Sequence, residues 1–336
     1  MRRGALWLTL IATAALPTAA AAQAPAPAAG SSARVAAAPP AAPAPPAQLP
    51  MTLSLDNVGG KRRAALARDR IRIRGSVGAY VPGQVVVVSV FRGSRRVHVK
   101  PVVLQPGPGG SGVFLVRYKP KRVGRIVARA EHVATPALGA FGGASRPVEI
   151  LPRRVGPRSD RVAVRALQAR LSGLGYVVGR RGSYDARTSR AVLAFRKMTG
   201  MARTTSATKP VMRRIARGRG RFRIHHPRHG RHLEADISRQ VLVLIEGRRV
   251  RRIYPISSGK ASTPTVLGSF RVYSKTSGTN SVGMVHSAYF IGGYATHGYH
   301  SVPTFPASHG CLRVPIPDAL SLFRWIRIGT PVDVYR

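Results

Sequence analysis

The hydrophobic period changes twice along this chain. Between residues 51 and 151 apolar and polar residues alternate, as in Arg70-Ile71-Arg72-Ile73-Arg74 and Val97-His98-Val99-Lys100. Between 157 and 216 apolar residues recur every three or four positions, at Val164, Leu167, Leu171 and Leu174. From Leu233 to Arg336 the β-type pattern returns. A period of two lines one face of a strand, whereas a period near 3.6 lines one face of a helix. One layer architecture does not accommodate all three patterns, so the chain reads as multidomain, mainly β with one α module. Its 336 residues are enough for two or three separate cores.

The first segment adds Val85 to Val90 after Pro82-Gly83, then Phe114 to Tyr118 and Arg125 to Ala128, with Gly and Pro between. Short strands at this spacing predict a small antiparallel, Ig-like β-sandwich over 51–151. No constellation of catalytic groups falls there, which suggests a spacer or binding module. The second segment predicts a three-helix bundle over 157–216. Ser159 or Asp160 caps the first helix, and Gly173 and Gly175 end it. The second helix follows Tyr184-Asp185, and the third holds Val211, Met212 and Ile215. A basic linker over 217–231 follows. It contains His225, His226 and His229, with His232 just beyond, but Pro227 and Gly230 break helical ligand geometry, and no metal site is expected.

The chain opens like an exported protein, with Arg2-Arg3, an apolar stretch from Ala5 to Leu16, and Ala19 to Gln23 offering cleavage sites. A signal peptide over 1–22 and an Ala/Pro-rich disordered linker over 23–50 are expected, the alternative being an uncleaved anchor. Nothing later is apolar enough to span a membrane, so localisation in the cell wall, periplasm or extracellular space follows. Lys and Arg number 55 against 11 Asp and Glu, a net charge of +44. Such a balance invites a nucleic-acid reading. Export argues against it, aromatics are not interleaved with the basic residues, and no specific nucleic-acid partner is expected. Abundant Arg, Ala, Gly and Pro fit a GC-rich genome, and part of the charge suits retention on an anionic wall.

The last segment contains the single cysteine, in Ser308-His309-Gly310-Cys311-Leu312-Arg313, with His297-Gly298 fourteen residues upstream. One thiol cannot form an intramolecular disulfide. It can be an inert core residue, a link to another chain, or a nucleophile, and the flanking residues favour the last. His297 is the candidate base, and a backbone carbonyl, that of Gly298, is the candidate acceptor for its second nitrogen. Gly310 admits close backbone approach. The N–H groups of Gly310 and Cys311 are candidate oxyanion donors. A free thiol is only slightly ionised at neutral pH, so a thiolate–imidazolium pair with a depressed Cys311 pKa is expected. Around the motif, Val241 to Ile245 reads as a buried strand, and Pro317-Asp318-Ala319 begins a short helix.

Two family resemblances add to this. Val164-Arg165-Ala166-Leu167-Gln168-Ala169-Arg170-Leu171, Leu174-Gly175-Tyr176, Tyr184-Asp185 and Thr188 to Phe195 resemble the peptidoglycan-binding type 1 module. Ser257-Ser258-Gly259-Lys260, Thr263-Pro264-Thr265, Ala295-Thr296-His297-Gly298, Ser308 to Arg313 and Gly329-Thr330-Pro331-Val332 resemble the YkuD-type L,D-transpeptidase catalytic family. The second resemblance implies a β-rich catalytic domain over 232–336. It implies Cys311 as nucleophile, His297 as base and acid, and Ser308, His309, Arg313, Tyr289 and Tyr299 as substrate-binding or loop-shaping residues. The implied partners are peptidoglycan stem peptides and glycan, and no cofactor or metal is required. Release of D-Ala and acyl transfer to an acceptor amine would cross-link the wall. Water as acceptor would give an L,D-carboxypeptidase, and a protein amine would attach a protein to the wall. A non-catalytic wall-binding protein is the other class, against which intact Cys311, His297 and Gly310 speak.

Overall fold

The computed structural model describes residues 49–136 and 138–336. The expected signal peptide, and the Ala/Pro-rich linker up to residue 48, lie outside the described residues. Among the described residues the architecture is mainly β with four α-helices, and no helix is long and apolar enough to cross a membrane.

The first ten strands are β1 (Met51–Asp56), β2 (Ala64–Leu66), β3 (Ile71–Val77), β4 (Val85–Arg92), β5 (Arg95–Val103), β6 (Gln105–Pro106), β7 (Gly112–Tyr118), β8 (Gly124–His132), β9 (Phe141–Ala144) and β10 (Val148–Leu151). One sheet has the order β1-β3-β7-β6, the other β2-β10-β8-β4-β5 with β9 on β8. Alternation sets the faces: in β3, Ile71, Ile73 and Val77 are buried while Arg72 and Arg74 are exposed. Ile73 and Val116 of one sheet share a core with Val88 and Ile126 of the other. One pairing departs from the antiparallel expectation, since β2 and β10 run parallel. Parallel neighbours need a crossover connection, and here the intervening chain through both sheets provides it.

Three helices follow: α1 (Arg161–Ser172), α2 (Ala186–Met198) and α3 (Lys209–Ala216). Asp160, not Ser159, caps α1 by accepting from the Ala163 N–H at 2.7 Å, and Asp185 caps α2 by accepting from the Thr188 N–H at 2.8 Å. Val164, Leu167, Leu171, Val192, Phe195 and Met212 are all buried. They do not close a core by themselves. The same cluster takes in Leu66 and Leu151 on one side and Val241, Val243, Ile245 and Ile253 on the other.

The C-terminal strands are β11 (Arg231–Asp236), β12 (Val241–Glu246), β13 (Arg249–Pro255), β14 (Gly268–Arg271), β15 (Ser274–Thr279), β16 (Val285–Ile291), β17 (Tyr294–Tyr299), β18 (Leu312–Pro315) and β19 (Pro331–Tyr335), with α4 (Ile316–Trp325) after β18. They make a sheet of order β13-β12-β11-β19-β14 and a second of order β15-β16-β17-β18. The unbroken apolar run of β12 now has a cause. Val241, Val243 and Ile245 face the helices, while Leu242 and Leu244 face a second core with Leu312, Val314, Ala319 and Leu322. A strand covered on both faces needs no polar alternation. Lys197 of α2 reaches into this contact and donates to the carbonyl oxygens of Ile256 (2.8 Å) and Gln240 (3.3 Å). Burial lowers its pKa to about 7.

Candidate active site

The strands β17 and β18 pair in parallel, with Thr296 opposite Leu312 and His297 opposite Arg313. Cys311 immediately precedes β18, so its sulfur caps the end of this ladder. Sγ lies 3.4 Å from the Ala295 nitrogen, which donates to it, and 3.7 Å from the Gly293 carbonyl oxygen. His297 and Arg313, opposite one another, share one face. Tyr299 contacts both side chains: the Arg313 guanidinium sits 4.1 Å from its ring centroid, and His297 meets it edge-on at 5.6 Å. Arg313 bears electrostatically on both Cys311 and His297.

His297 is 2% exposed, and its Nδ1 lies 2.9 Å from the Gly298 carbonyl oxygen. A carbonyl only accepts, so Nδ1 carries the proton in this contact and neutral Nε2 keeps a lone pair. Gly298 is also required sterically, because a Cβ there would come within 2.6 Å of Ala319 Cβ on α4.

The loop before Cys311 is held from both sides. The Ser258 carbonyl accepts from the N–H groups of Ala307 and Ser308, both at 2.9 Å. Thr265 Oγ1 donates to the Gly310 carbonyl at 2.7 Å, and Ser308 Oγ donates to the Cys311 carbonyl at 2.6 Å. Ser257 and Arg313 exchange backbone hydrogen bonds at 3.1 and 3.0 Å. Gly310 has φ +118, a conformation that L side chains rarely adopt. Its N–H donates to Ser308 Oγ at 3.1 Å. The Gly310 N–H, expected as an oxyanion donor, is thus engaged by the loop in the resting site. Among the described residues the Cys311 N–H has no hydrogen-bond partner.

The remaining expected residues are spread around this centre. His309 is exposed, with Nε2 3.3 Å from Lys260 Nζ. Tyr289 on β16 pairs with Ala295, which places it in the row that ends at Cys311. Arg313 donates to the Ala307 carbonyl at 3.3 Å, while its buried Nε has no partner among the described residues. Sequence reasoning missed Tyr294, whose ring packs where a Cβ on Gly310 would sit, and it assigned no role to Ser257, Ser258 and Thr265. A spacing pattern carries no signal for such contacts, because their partners lie 16 to 56 positions away in the chain.

Electrostatics also corrects the expected ion pair. Burial pushes the Cys311 thiol up, outweighing the Ala295 N–H and the Arg313 charge, which pull it down. Burial and the nearby Arg313 lower His297, although the Gly298 carbonyl favours its charged form. Both shifts disfavour the charged forms of the two groups. Iodoacetamide alkylation of Cys311 is expected to rise with pH above the range of an ordinary thiol, about 8.5. A midpoint below that value in a pH series of labelling rates contradicts this.

Residues 230–334 match the family model of the YkuD L,D-transpeptidase catalytic domain. Among solved structures, the chain is similar to an L,D-transpeptidase from Xylanimonas cellulosilytica, with 34% identity over 55% of this chain and 98% of that one and a TM-score of 0.49. It is similar to an L,D-transpeptidase from Stackebrandtia nassauensis at 20% identity, covering 51% and 89% of the two chains, TM-score 0.35. The catalytic domain of the Enterococcus faecium L,D-transpeptidase matches at 27% identity, covering 32% and 98%, TM-score 0.28. No curated protein matches the chain.

Proposed function

With residues 230–334 forming an L,D-transpeptidase catalytic domain, we propose that the protein is an exported peptidoglycan L,D-transpeptidase with Cys311 as its nucleophile. The observation that carries this is the Nδ1 contact of His297 with the Gly298 carbonyl, which leaves Nε2 free as a base on the strand beside Cys311. The Cys311 thiol attacks the carbonyl between the third, L-configured centre of a donor stem and its terminal D-Ala. Its proton passes to His297 Nε2, and the C–N bond breaks as the imidazolium protonates the leaving amine of D-Ala. The thioester is then attacked by the side-chain amine of an acceptor stem. His297 takes a proton from that amine and returns it to the thiol.

Burial that disfavours both charges fits this cycle, in which charge develops when a bound donor provides an electrophile. The Cys311 N–H is the oxyanion donor, and the Gly310 N–H becomes a second if it leaves Ser308 Oγ. Arg313, a cation bearing on both Cys311 and His297, is suited to a substrate carboxylate. Tyr289, Tyr299, Ser308 and His309 shape the loop and groove around it. The helices over 157–216 serve wall binding in this reading, and residues 51–151 serve as spacer or anion-binding module. A cleft of the latter is lined by Arg70, Arg92, Arg95, Arg96, Arg117 and Lys119, among others, with no carboxylate in its lining.

Purified stem peptides incubated with the full chain and read by mass spectrometry test the assignment. Dimers joined through third-position residues, with release of D-Ala, are the expected products. Free tripeptide without dimer would assign an L,D-carboxypeptidase instead.

A further inference from the structure

The histidine-rich connector before β11 does not hang free. Residues 226 to 229 make a turn, closed by the His229 N–H donating to the His226 carbonyl at 3.1 Å. The turn stacks the His226 and His229 rings at 5.0 Å, with 27° between their planes. Both rings face Asp333 of β19: His229 Nδ1 is 3.0 Å from Oδ2, and His226 Nδ1 is 4.0 Å from Oδ1. One ligand atom from each of the three residues falls within 4.8 Å of the others.

We propose that His226, His229 and Asp333 form a binding site for a divalent first-row transition cation of the Zn(II) class, joining the connector to β19. Two imidazoles and one carboxylate are the donor set such cations favour, and hard cations such as Ca²⁺ and Mg²⁺ do not. A hydrogen bond to Asp333 uses one histidine; it gives no reason for a second ring to stack behind the first and face the same carboxylate. A shared cation does. Contraction to ligand distances of about 2.0–2.2 Å is achieved by rotating the two side chains, each 37% exposed, with the carboxylate fixed. The exposed rings leave further coordination positions to water.

The surroundings are already organised for this. Asp333 is 1% exposed, and Ser269 Oγ on β14 donates to its Oδ1 at 2.6 Å. Glu234 is fully buried and accepts the His226 N–H at 2.8 Å and the His225 N–H at 2.9 Å, fixing the start of the turn. Tyr335 donates to the other Glu234 oxygen at 2.9 Å and stacks on His225 at 4.4 Å. Such outer hydrogen bonds hold ligands in place before a metal arrives. Occupancy would pin the connector to the strand pair β14–β19, so bound metal stabilises the fold by mass action.

The test is a Zn(II) titration of the chelator-treated full chain carrying Cys311→Ala, which removes the thiol as a competing ligand. Calorimetry is expected to give one saturable site per chain, with a rise in Tm on saturation. X-ray absorption is expected to give a nitrogen and oxygen shell near 2.0–2.1 Å without sulfur. His226→Ala with His229→Ala, both half-exposed and tolerable to the fold, should weaken that site by at least about tenfold and abolish the Tm rise. Asp333→Asn should do the same but removes a buried carboxylate, so the histidine pair is the deciding variant. Absence of saturable binding, or binding unchanged in the histidine pair variant, overturns the proposal.

Discussion

Cys311→Ala is expected to eliminate the acyl-enzyme and to lower turnover of stem peptides by about 10⁶-fold, the scale on which removal of a covalent nucleophile acts. No other cysteine exists to take over its role. The hydrogen-bond contacts of the sulfur, to the Ala295 N–H at 3.4 Å and the Gly293 carbonyl at 3.7 Å, are weak, so little stability is lost with it. The loop hydrogen bonds of Ser308, Thr265 and Ser258 use backbone and hydroxyl groups that the substitution leaves in place. Intact-protein mass spectrometry after incubation with donor stem decides the matter. A stem adduct on the variant, or turnover within tenfold of the parent at unchanged Tm, would remove Cys311 from the mechanism.

Gly310→Ala is expected to be strongly damaging. The added Cβ would lie 1.7 Å from Tyr294 Cε1, and φ of +118 is strained for any L side chain irrespective of space. Strain of that kind costs roughly 1–3 kcal/mol where it persists. The loop can escape both penalties only by moving, and Cys311 is the next residue. Displacement of a reacting group by about 1 Å can cost on the order of 10²-fold in rate. A loss of at least about 100-fold is therefore expected, together with a lower Tm. Combining Gly310→Ala with Tyr294→Ala separates the causes. The pair should recover Tm in part, since the clash is gone, and stay slow, since the φ strain is not. A single Gly310→Ala variant with parental rate and Tm would show that neither constraint governs the loop.

The motif was legible because its chemistry is local. Ser308 to Arg313 and His297-Gly298 are short strings in which residue type implies role, and each keeps its backbone partners nearby: the Gly298 carbonyl lies beside His297, and the Ser308 hydroxyl beside Cys311. The strands and helices were legible for the same reason. Ile71, Ile73 and Val77, or Val164, Leu167 and Leu171, declare which face is buried before any partner is known.

What covers that face is a property of no single segment. β12 shows an apolar run, and only its tertiary neighbours divide it between a helical core and a catalytic core. The charge state of the site behaved likewise: residue identities suggest a thiolate and an imidazolium, whereas burial disfavours both charges. Period and motif are written into neighbouring residues, so the sequence by itself determined the element types, the candidate nucleophile and its base. Burial and long-range pairing depend on groups far away in the chain. The tertiary structure therefore decided which amide of the Gly310–Cys311 pair is open, that Tyr294 requires a glycine at 310, and that His226 and His229 meet a carboxylate 104 residues beyond His229.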